Sequence, residues 1–100
     1  MTGSNRSKQQ AEIFAQVKQI LVNLLKVMRE KDPSKRPEMK WETDLIEDLG
    51  VDSLETIDVM NALEEEFEVS PNLNEVNTKT KIGQIVDYVI ELKEREGAKV

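Results

Sequence analysis

Apolar residues recur at intervals of three and four positions in three stretches of the chain, and this spacing constrains the fold more than any other feature. Such intervals place apolar residues on one face of an α-helix, and no strand-like alternation of useful length is present. Helices are therefore predicted over about 10–31, 53–68 and 81–95. Each would be marginal alone in water, so the three apolar faces must pack together. The predicted fold is all-α, a small bundle of three to four helices.

The first and last predicted helices have clear apolar faces. Ile13, Val17, Ile20, Leu21, Leu24 and Met28 define the first, and Ile82, Ile85, Val86, Val89 and Leu92 define the last. By length the chain is one domain, which we place at residues 10–96, with flexible tails at 1–9 and 97–100. Asp32-Pro33 should end the first helix. A long loop over 32–43 would follow, held to the bundle by Trp41.

The second predicted helix begins with the pattern of a capping box. Asp52 is the expected N-cap, and Glu55 is expected to reach back to it. Its inward face is predicted to carry Leu54, Ile57, Met60 and Leu63, with Phe67 at the end. Its outward face is predicted to carry acidic residues, namely Glu55, Asp58, Glu65, Glu66 and Glu68. A weak helical turn is expected over 73–76, between this helix and the last one.

Composition argues against independent catalysis. The chain contains no cysteine and no histidine, so it lacks a thiol nucleophile, a thiolate metal site and the most frequent general base. No apolar run approaches the ~18 residues that a membrane span needs, and the polar N-terminus lacks the apolar core of a secretory signal. We therefore expect no metal site and no membrane span, a cytoplasmic location and a monomer.

Charge is distributed very unevenly along the chain. Residues 41–78 contain twelve Asp and Glu and no Lys or Arg, whereas residues 1–40 contain nine Lys and Arg and four acidic residues. A field of one sign attracts basic partners and accelerates their association. The same field would repel the phosphates of nucleic acid. We therefore predict basic protein partners and no nucleic acid partner.

One hydroxyl lies at the centre of this acidic region. Ser53 follows Gly50-Val51-Asp52 at the expected start of the second helix. Backbone N–H groups point outward at a helix N-terminus, and the helix dipole favours an anion there. Asp52 is the better capping residue, which would leave the Ser53 hydroxyl free. A phosphodiester on Ser53 would therefore be well placed.

Three segments carry a resemblance to a known family. Residues 44–54 read Asp-Leu-Ile-Glu-Asp-Leu-Gly-Val-Asp-Ser-Leu, 62–67 read Ala-Leu-Glu-Glu-Glu-Phe, and 82–89 read Ile-Gly-Gln-Ile-Val-Asp-Tyr-Val. From about 13 to 92 the chain resembles the acyl carrier proteins. The resemblance implies a carrier and not an enzyme. It implies that a phosphopantetheinyl transferase uses coenzyme A to attach 4'-phosphopantetheine to Ser53. The thiol of this prosthetic group would then hold acyl groups as thioesters. The absence of cysteine is consistent with a sulfur supplied by the cofactor.

The resemblance also implies partners and a cargo site. Partners would be acyl-chain synthesising, modifying or transferring enzymes with basic patches, in fatty acid, lipid or polyketide-type biosynthesis. The predicted docking residues are Asp52, Leu54, Glu55, Asp58, Glu64 and Glu65. The predicted acyl pocket contains Ile57, Met60, Leu63, Leu73 and Ile82.

The chain departs from the family pattern at several places. Asn61 stands where an exposed apolar residue is common, and Lys79 stands where the family often has isoleucine. Residues 71–77 are less acidic than usual, and the loop at 31–40 is longer and more basic. These differences favour a specialised carrier over a housekeeping one.

Other readings remain at this point. An aminoacyl or peptidyl carrier would usually show a Gly-Gly-x-Ser motif, which this chain lacks around Ser53. An acidic helical interaction module could leave Ser53 unmodified or phosphorylated. A calcium loop over 44–55 is disfavoured, because Ile46 and Leu49 occupy positions that need an oxygen ligand and a glycine.

Overall fold

The computed structural model describes residues 2–97 and contains four α-helices within them. Their bounds are Thr2–Leu24 (α1), Ser53–Phe67 (α2), Leu73–Val76 (α3) and Ile82–Gly97 (α4). The described part of the chain forms no strand, only an isolated antiparallel bridge between Asp44 and Lys81. The predicted all-α bundle is confirmed. Of the predicted C-terminal tail, residues 98–100 lie outside the described residues.

Helix α1 begins at Thr2, earlier than the predicted start near residue 10. Two contacts with α4 accompany this early start. Arg6 Nη1 lies 3.4 Å from Glu94 Oε2, and Gln10 Nε2 donates a hydrogen bond to Asp87 Oδ1 at 2.7 Å. Residues 2–9 therefore belong to α1, whereas we predicted a helix only from about residue 10, after a flexible tail at 1–9. The sequence did not indicate this because Arg6 and Gln10 make their contacts with residues far along the chain.

Helix α1 also ends earlier than predicted, at Leu24 instead of near residue 31. Leu25 adopts an extended conformation, and a short 3₁₀ turn follows over Lys26–Arg29. The backbone N–H of Lys26 donates to Glu55 Oε2 at 2.9 Å. Because that N–H is taken by a side chain of α2, it is not available to continue the α-helical ladder.

Trp41 holds the long loop against the bundle, as predicted. Its ring meets Phe14 of α1 edge to face, with 5.5 Å between ring centroids. Its carbonyl oxygen accepts a hydrogen bond from Gly83 N at 2.8 Å. A side chain at Gly83 would collide with the indole, since an added Cβ would lie 2.6 Å from Trp41 Cδ1. The loop therefore packs closely on the start of α4 at a residue without a side chain.

Helix α4 supplies the most deeply buried part of the core. It packs mainly against α1 and also against α2. The apolar face predicted for this helix is confirmed, and two further residues join it. Its buried side chains are Ile82, Ile85, Val86, Tyr88, Val89, Ile90 and Leu92. The bundle thus forms around α4, with the N-terminus of α2 left near the surface.

Candidate functional site

A compact turn leads the chain into α2. The Asp44 carboxylate accepts hydrogen bonds from the backbone N–H groups of Ile46 and Glu47, both at 2.9 Å. The Glu47 hydrogen bond is the main reason that the pKa of Asp44 is lowered. Leu45 N donates to Thr80 O at 2.7 Å, which ties this turn to the residues preceding α4.

Gly50 completes the turn with a positive φ of 66°. That left-handed conformation costs glycine little, whereas a residue with a Cβ would be strained there. The next residue, Val51, is buried and donates from its N–H to Leu45 O at 2.9 Å. The backbone is therefore fixed on the approach to Ser53.

The predicted capping box is confirmed at the start of α2. Asp52 Oδ1 accepts a hydrogen bond from Glu55 N at 2.8 Å, and Glu55 Oε1 accepts one from Asp52 N at 3.3 Å. Ser53 is the first residue of the helix and is exposed. Because Asp52 does the capping, the Ser53 hydroxyl is left out of the cap's hydrogen bonds.

Lys26 adds a cation to this helix start. Its Nζ donates to Asp52 Oδ2 at 3.0 Å, and both side chains are largely exposed. The pKa of Asp52 is lowered, first by the hydrogen bond from Glu55 N and then by that from Lys26. The hydrogen bond with Asp52 in turn raises the pKa of Lys26. Asp52 therefore stays ionised beside Ser53 at neutral pH.

At its start, α2 is rotated by about one residue from the predicted orientation of its inward face. The buried side chains are Glu55, Val59, Leu63 and Phe67, whereas Leu54 is 74% exposed and Ile57 is 38% exposed. The prediction that Glu55 faces outward is wrong, since only 8% of this residue is exposed. Its carboxylate is turned inward because it receives hydrogen bonds from Lys26 N and Asp52 N. Fixing Glu55 inward rotates Leu54 to the surface.

The remaining residues predicted for docking lie at the surface. Asp52, Leu54, Asp58, Glu64 and Glu65 are all exposed. They extend from the helix start along α2 and combine one apolar side chain with four acidic ones. Glu55 does not share this surface and is excluded from it by its burial.

An open groove lies beside Ser53. Its volume is about 530 Å³. Two of the five predicted pocket residues, Ile57 and Leu73, line it. The full lining is Ile46, Val51, Asp52, Ser53, Thr56, Ile57, Leu73 and Asn77. The groove therefore offers both apolar and polar atoms next to the serine hydroxyl.

A smaller cavity of about 30 Å³ lies deeper, between α2 and the segment from α3 to α4. It is lined by Leu45, Ile46, Val51, Thr56, Val59, Val76, Asn77, Lys79, Thr80 and Ile85. The other three predicted pocket residues line neither space. Leu63 and Ile82 are fully buried in the core, and Met60 is half-buried against it.

Sequence reasoning missed the apolar walls of this cavity for two different reasons. Val59 lies four positions before Leu63, so a stripe drawn through Leu63 at helical spacing would have found it. Leu45 and Val51 come from the irregular turn before α2, where no periodic pattern exists. Their position depends on the backbone hydrogen bond between Leu45 N and Thr80 O.

Comparison with known proteins identifies the family. A family model described as "Phosphopantetheine attachment site" matches residues 15–89. An acyl carrier protein from Campylobacter fetus is 36% identical over 81 residues, which are 81% of this chain and 96% of the relative. One from Clostridium acetobutylicum is 32% identical over 77 residues, 77% of this chain and 91% of the relative. The chain belongs to the acyl carrier protein family.

Membership confirms three predictions made from the sequence. Acyl carrier proteins are carriers, so the chain is not an enzyme. Their prosthetic group is 4'-phosphopantetheine, so the predicted cofactor is confirmed as well. The family assignment itself agrees with the resemblance carried by residues 44–54, 62–67 and 82–89.

The residues around Ser53 suit this prosthetic group chemically. An exposed hydroxyl at the first residue of α2 can form an ester with a phosphate, and the helix start favours the resulting negative charge. The adjoining groove presents Thr56 and Asn77 as polar groups and Ile57 and Leu73 as apolar ones. A linker that is partly polar and partly apolar matches such a surface.

Residues 2–97 contain neither a membrane-spanning helix nor a cluster of metal ligands. No helix in this part of the carrier is both long enough and apolar enough to cross a membrane. Nor do the Asp and Glu side chains of these residues form a cluster of three or more that could hold a metal ion.

Proposed function

We propose that Ser53 Oγ is the attachment atom for 4'-phosphopantetheine and that the protein carries acyl intermediates on it. The observation that carries this proposal is the capping box. Asp52 and Glu55 satisfy each other's backbone N–H groups at the helix start, so Ser53 is exposed without having to cap α2. Acyl carrier proteins use such a serine. Within the matched residues 15–89, no other Ser or Thr is the first residue of an α-helix.

The chain's own residues stabilise a negative charge at this place. A helix N-terminus favours an anion at an exposed site by about 0.3–1 kcal/mol. Lys26 Nζ, bound to Asp52 Oδ2, reduces the repulsion that the Asp52 carboxylate would exert on a nearby phosphodiester. When bound, the prosthetic group supplies the thiol that carries acyl chains as thioesters. Effects of this size are too small to retain a free phosphate, which is consistent with a covalent attachment.

The proposed partners are a phosphopantetheinyl transferase and acyl-handling enzymes with basic patches. They would dock on Asp52, Leu54, Asp58, Glu64 and Glu65, which are exposed along α2. The absence of any Lys or Arg from residues 41–78 supports this choice. Charges at the rim of an interface act mainly on association rate and salt dependence. Leu54, 74% exposed, would supply the apolar centre of the contact.

Incubation with coenzyme A and a broad-specificity transferase tests the proposal. Intact-mass spectrometry of the wild type should show the gain of one phosphopantetheine group. Ser53→Ala should show no gain, whereas Ser70→Ala, a matched control at another exposed serine, should gain as much as the wild type. Absence of the gain in all three proteins, with a known carrier modified in the same tube, would refute Ser53 as the attachment site.

The cargo is proposed to be an acyl chain from fatty acid, lipid or polyketide-type biosynthesis. The apolar side chains around the deeper cavity, such as Val59, Val76 and Ile85, favour a hydrocarbon chain over an amino acid or peptide. We further propose a specialised carrier, because Lys79 lines that cavity and Asn61 is exposed on α2. A cytoplasmic location and a monomeric state remain predictions from the sequence.

Mass spectrometry of the intact protein from its own cells tests the specialised role. Acyl groups with unusual functional groups or lengths would support it. Ordinary saturated fatty intermediates would contradict it while leaving the carrier function in place. An aminoacyl or peptidyl adduct would replace the acyl assignment.

A further inference from the structure

The short helix α3 is held in place by one buried hydroxyl. Tyr88, on α4, is only 2% exposed. Its hydroxyl accepts a hydrogen bond from Asn72 N at 2.9 Å and donates one to Glu75 Oε1 at 2.8 Å. Asn72 is the N-cap of α3 and Glu75 lies within it, so the hydroxyl holds both the entry and the body of a helix of four residues.

Further groups surround this hydroxyl. Arg95 Nη1 lies 3.8 Å from Glu75 Oε1, the same oxygen that accepts from Tyr88. Lys79 Nζ lies 5.7 Å from the centroid of the Tyr88 ring. Burial raises the pKa of Tyr88, so the hydroxyl keeps its proton and remains a donor at neutral pH. The contacts therefore form one connected set that links α3 to α4.

The segment held by Tyr88 forms one wall of the deeper cavity. Val76, Asn77, Lys79 and Thr80 line this wall, and Val59 of α2 lies among the residues of the opposite one. The cavity volume of about 30 Å³ is enough for about two water molecules. A hydrocarbon chain of more than a few carbons is larger than this space, so enclosing it there requires the walls to separate.

Moving the wall has a defined physical cost. A displacement of α3 away from α2 would separate Asn72 N and Glu75 Oε1 from the Tyr88 hydroxyl. Tyr88 is 2% exposed, so separating its hydroxyl from Asn72 N and Glu75 Oε1 costs the free energy of two hydrogen bonds, less the part that water recovers once α3 has moved. The wide conformation would then be a minor state, and entry of a chain would be weakened by the fraction of molecules in that state.

We propose that Tyr88 is a specificity-determining residue, which limits the length of acyl chain that the carrier encloses by holding α3 against the cavity. This inference rests on the proposed function for its cargo, but the restraint on α3 is a property of the unmodified chain. The two can therefore be tested separately.

Hydrogen exchange of the unmodified protein tests the restraint. In Tyr88→Phe the amides of residues 73–79 should exchange about tenfold faster, the effect expected from losing one or two buried hydrogen bonds. The ratio of exchange in 73–79 to exchange in α1 should rise, which global destabilisation alone would not produce. Glu75→Gln, which keeps an acceptor oxygen, should rescue most of the protection that Glu75→Ala loses.

Gln10→Ala is the matched control for this measurement. It removes a side-chain hydrogen bond to Asp87, the residue next to Tyr88 on α4, but it does not touch α3. Its exchange in 73–79 should equal that of the wild type. If residues 73–79 exchanged at the same rate in Tyr88→Phe as in the wild type, the proposed restraint on α3 would be overturned. This holds whatever is attached to Ser53.

Loaded proteins test the effect on cargo. Butyryl, octanoyl and dodecanoyl groups are attached through a broad-specificity transferase and the matching acyl-coenzyme A, and cleavage by hydroxylamine is timed. The dodecanoyl group should be several-fold better protected in Tyr88→Phe than in the wild type, with the butyryl group unchanged. An equal ratio for all three lengths would overturn the specificity role. Ser53→Ala should not load. If the wild type also failed to load, Ser53 would be overturned as the cargo site, while the exchange result would stand.

Discussion

Replacing Glu55 tests how strongly the start of α2 is fixed to the end of α1. The Glu55 carboxylate accepts the Lys26 N–H at 2.9 Å and the Asp52 N–H at 3.3 Å, and the residue is 8% exposed. Glu55→Ala leaves both donors without this acceptor. Each orphaned amide that is shielded from water costs about 1–3 kcal/mol. The Asp52 amide can be partly hydrated, so we expect a total loss of about 2–4 kcal/mol.

Glu55→Gln separates geometry from charge. The two donors bond to different oxygens of Glu55, and glutamine has only one oxygen, so its NH₂ group would face one of the two N–H donors. We expect it to lose about 1–2 kcal/mol, between the wild type and Glu55→Ala. Glu64→Gln, an exposed residue on the same helix, is the control and should lie within about 0.5 kcal/mol of the wild type.

Urea unfolding followed by circular dichroism gives the free energies, and thermal scans provide a second measure. For a domain of this size, 1 kcal/mol corresponds to about 4–8 °C in Tm. The expected order of stability is wild type and Glu64→Gln, then Glu55→Gln, then Glu55→Ala. If Glu55→Ala and Glu64→Gln unfolded at the same urea concentration, the two hydrogen bonds would contribute nothing measurable and the argument would be refuted.

Three further perturbations have defined outcomes. Gly83→Ala forces a methyl group to within 2.6 Å of Trp41 Cδ1, so we expect a loss of about 1–3 kcal/mol and a shift in tryptophan emission. The pKa of Asp52 is lowered in the folded state, chiefly by the hydrogen bond from Glu55 N. The contribution of Asp52 to stability is therefore complete above its ordinary pKa of 3.8 and is lost as the pH falls through the folded pKa. Asp52→Asn should reduce the fall in Tm at acid pH, the acid branch, in thermal scans. Asp58→Lys should slow association with a basic partner about tenfold at low salt, measured by stopped flow.

Each of these outcomes has a counterpart that would contradict it. Unchanged tryptophan emission in Gly83→Ala would mean that the loop does not pack on α4 in solution. An acid branch of equal slope in Asp52→Asn would remove that carboxylate as a source of acid sensitivity. Glu12→Lys, on α1, is the control for charge reversal, and an equally large slowing in that variant would show a general charge effect instead of a docking surface.

The local features of α2 were predictable from the sequence because they depend on neighbouring residues. The spacing of Asp52 and Glu55 predicts a capping box, and the structure confirms it. The apolar face of α4 was likewise predictable, because helical spacing alone defines it. The position of Ser53 at the surface follows from the same local chemistry, since a residue that does not cap the helix keeps its hydroxyl free.

The orientation of α2 was not predictable in the same way. Hydrophobicity alone favours Leu54 as an inward residue and Glu55 as an outward one, and the structure has the reverse. The contact that decides the orientation is the hydrogen bond from Lys26 N to Glu55, which are 29 positions apart. No local sequence pattern predicts a contact over this distance. The same contact explains the early end of α1. Two wall residues of the deeper cavity were missed because Leu45 is placed by a long-range backbone hydrogen bond to Thr80 and Val51 by one to Leu45 within an irregular turn.

The burial of α4 has a consequence for how the protein is made. Ribosomes synthesise α1, α2 and α3 before α4, yet α4 supplies the residues around which the others pack. Until it has emerged from the exit tunnel, the earlier segments have no complete core against which to fold. The serine at the start of α2 therefore leaves the exit tunnel before α4 does, and its final setting arises only after α4 has emerged.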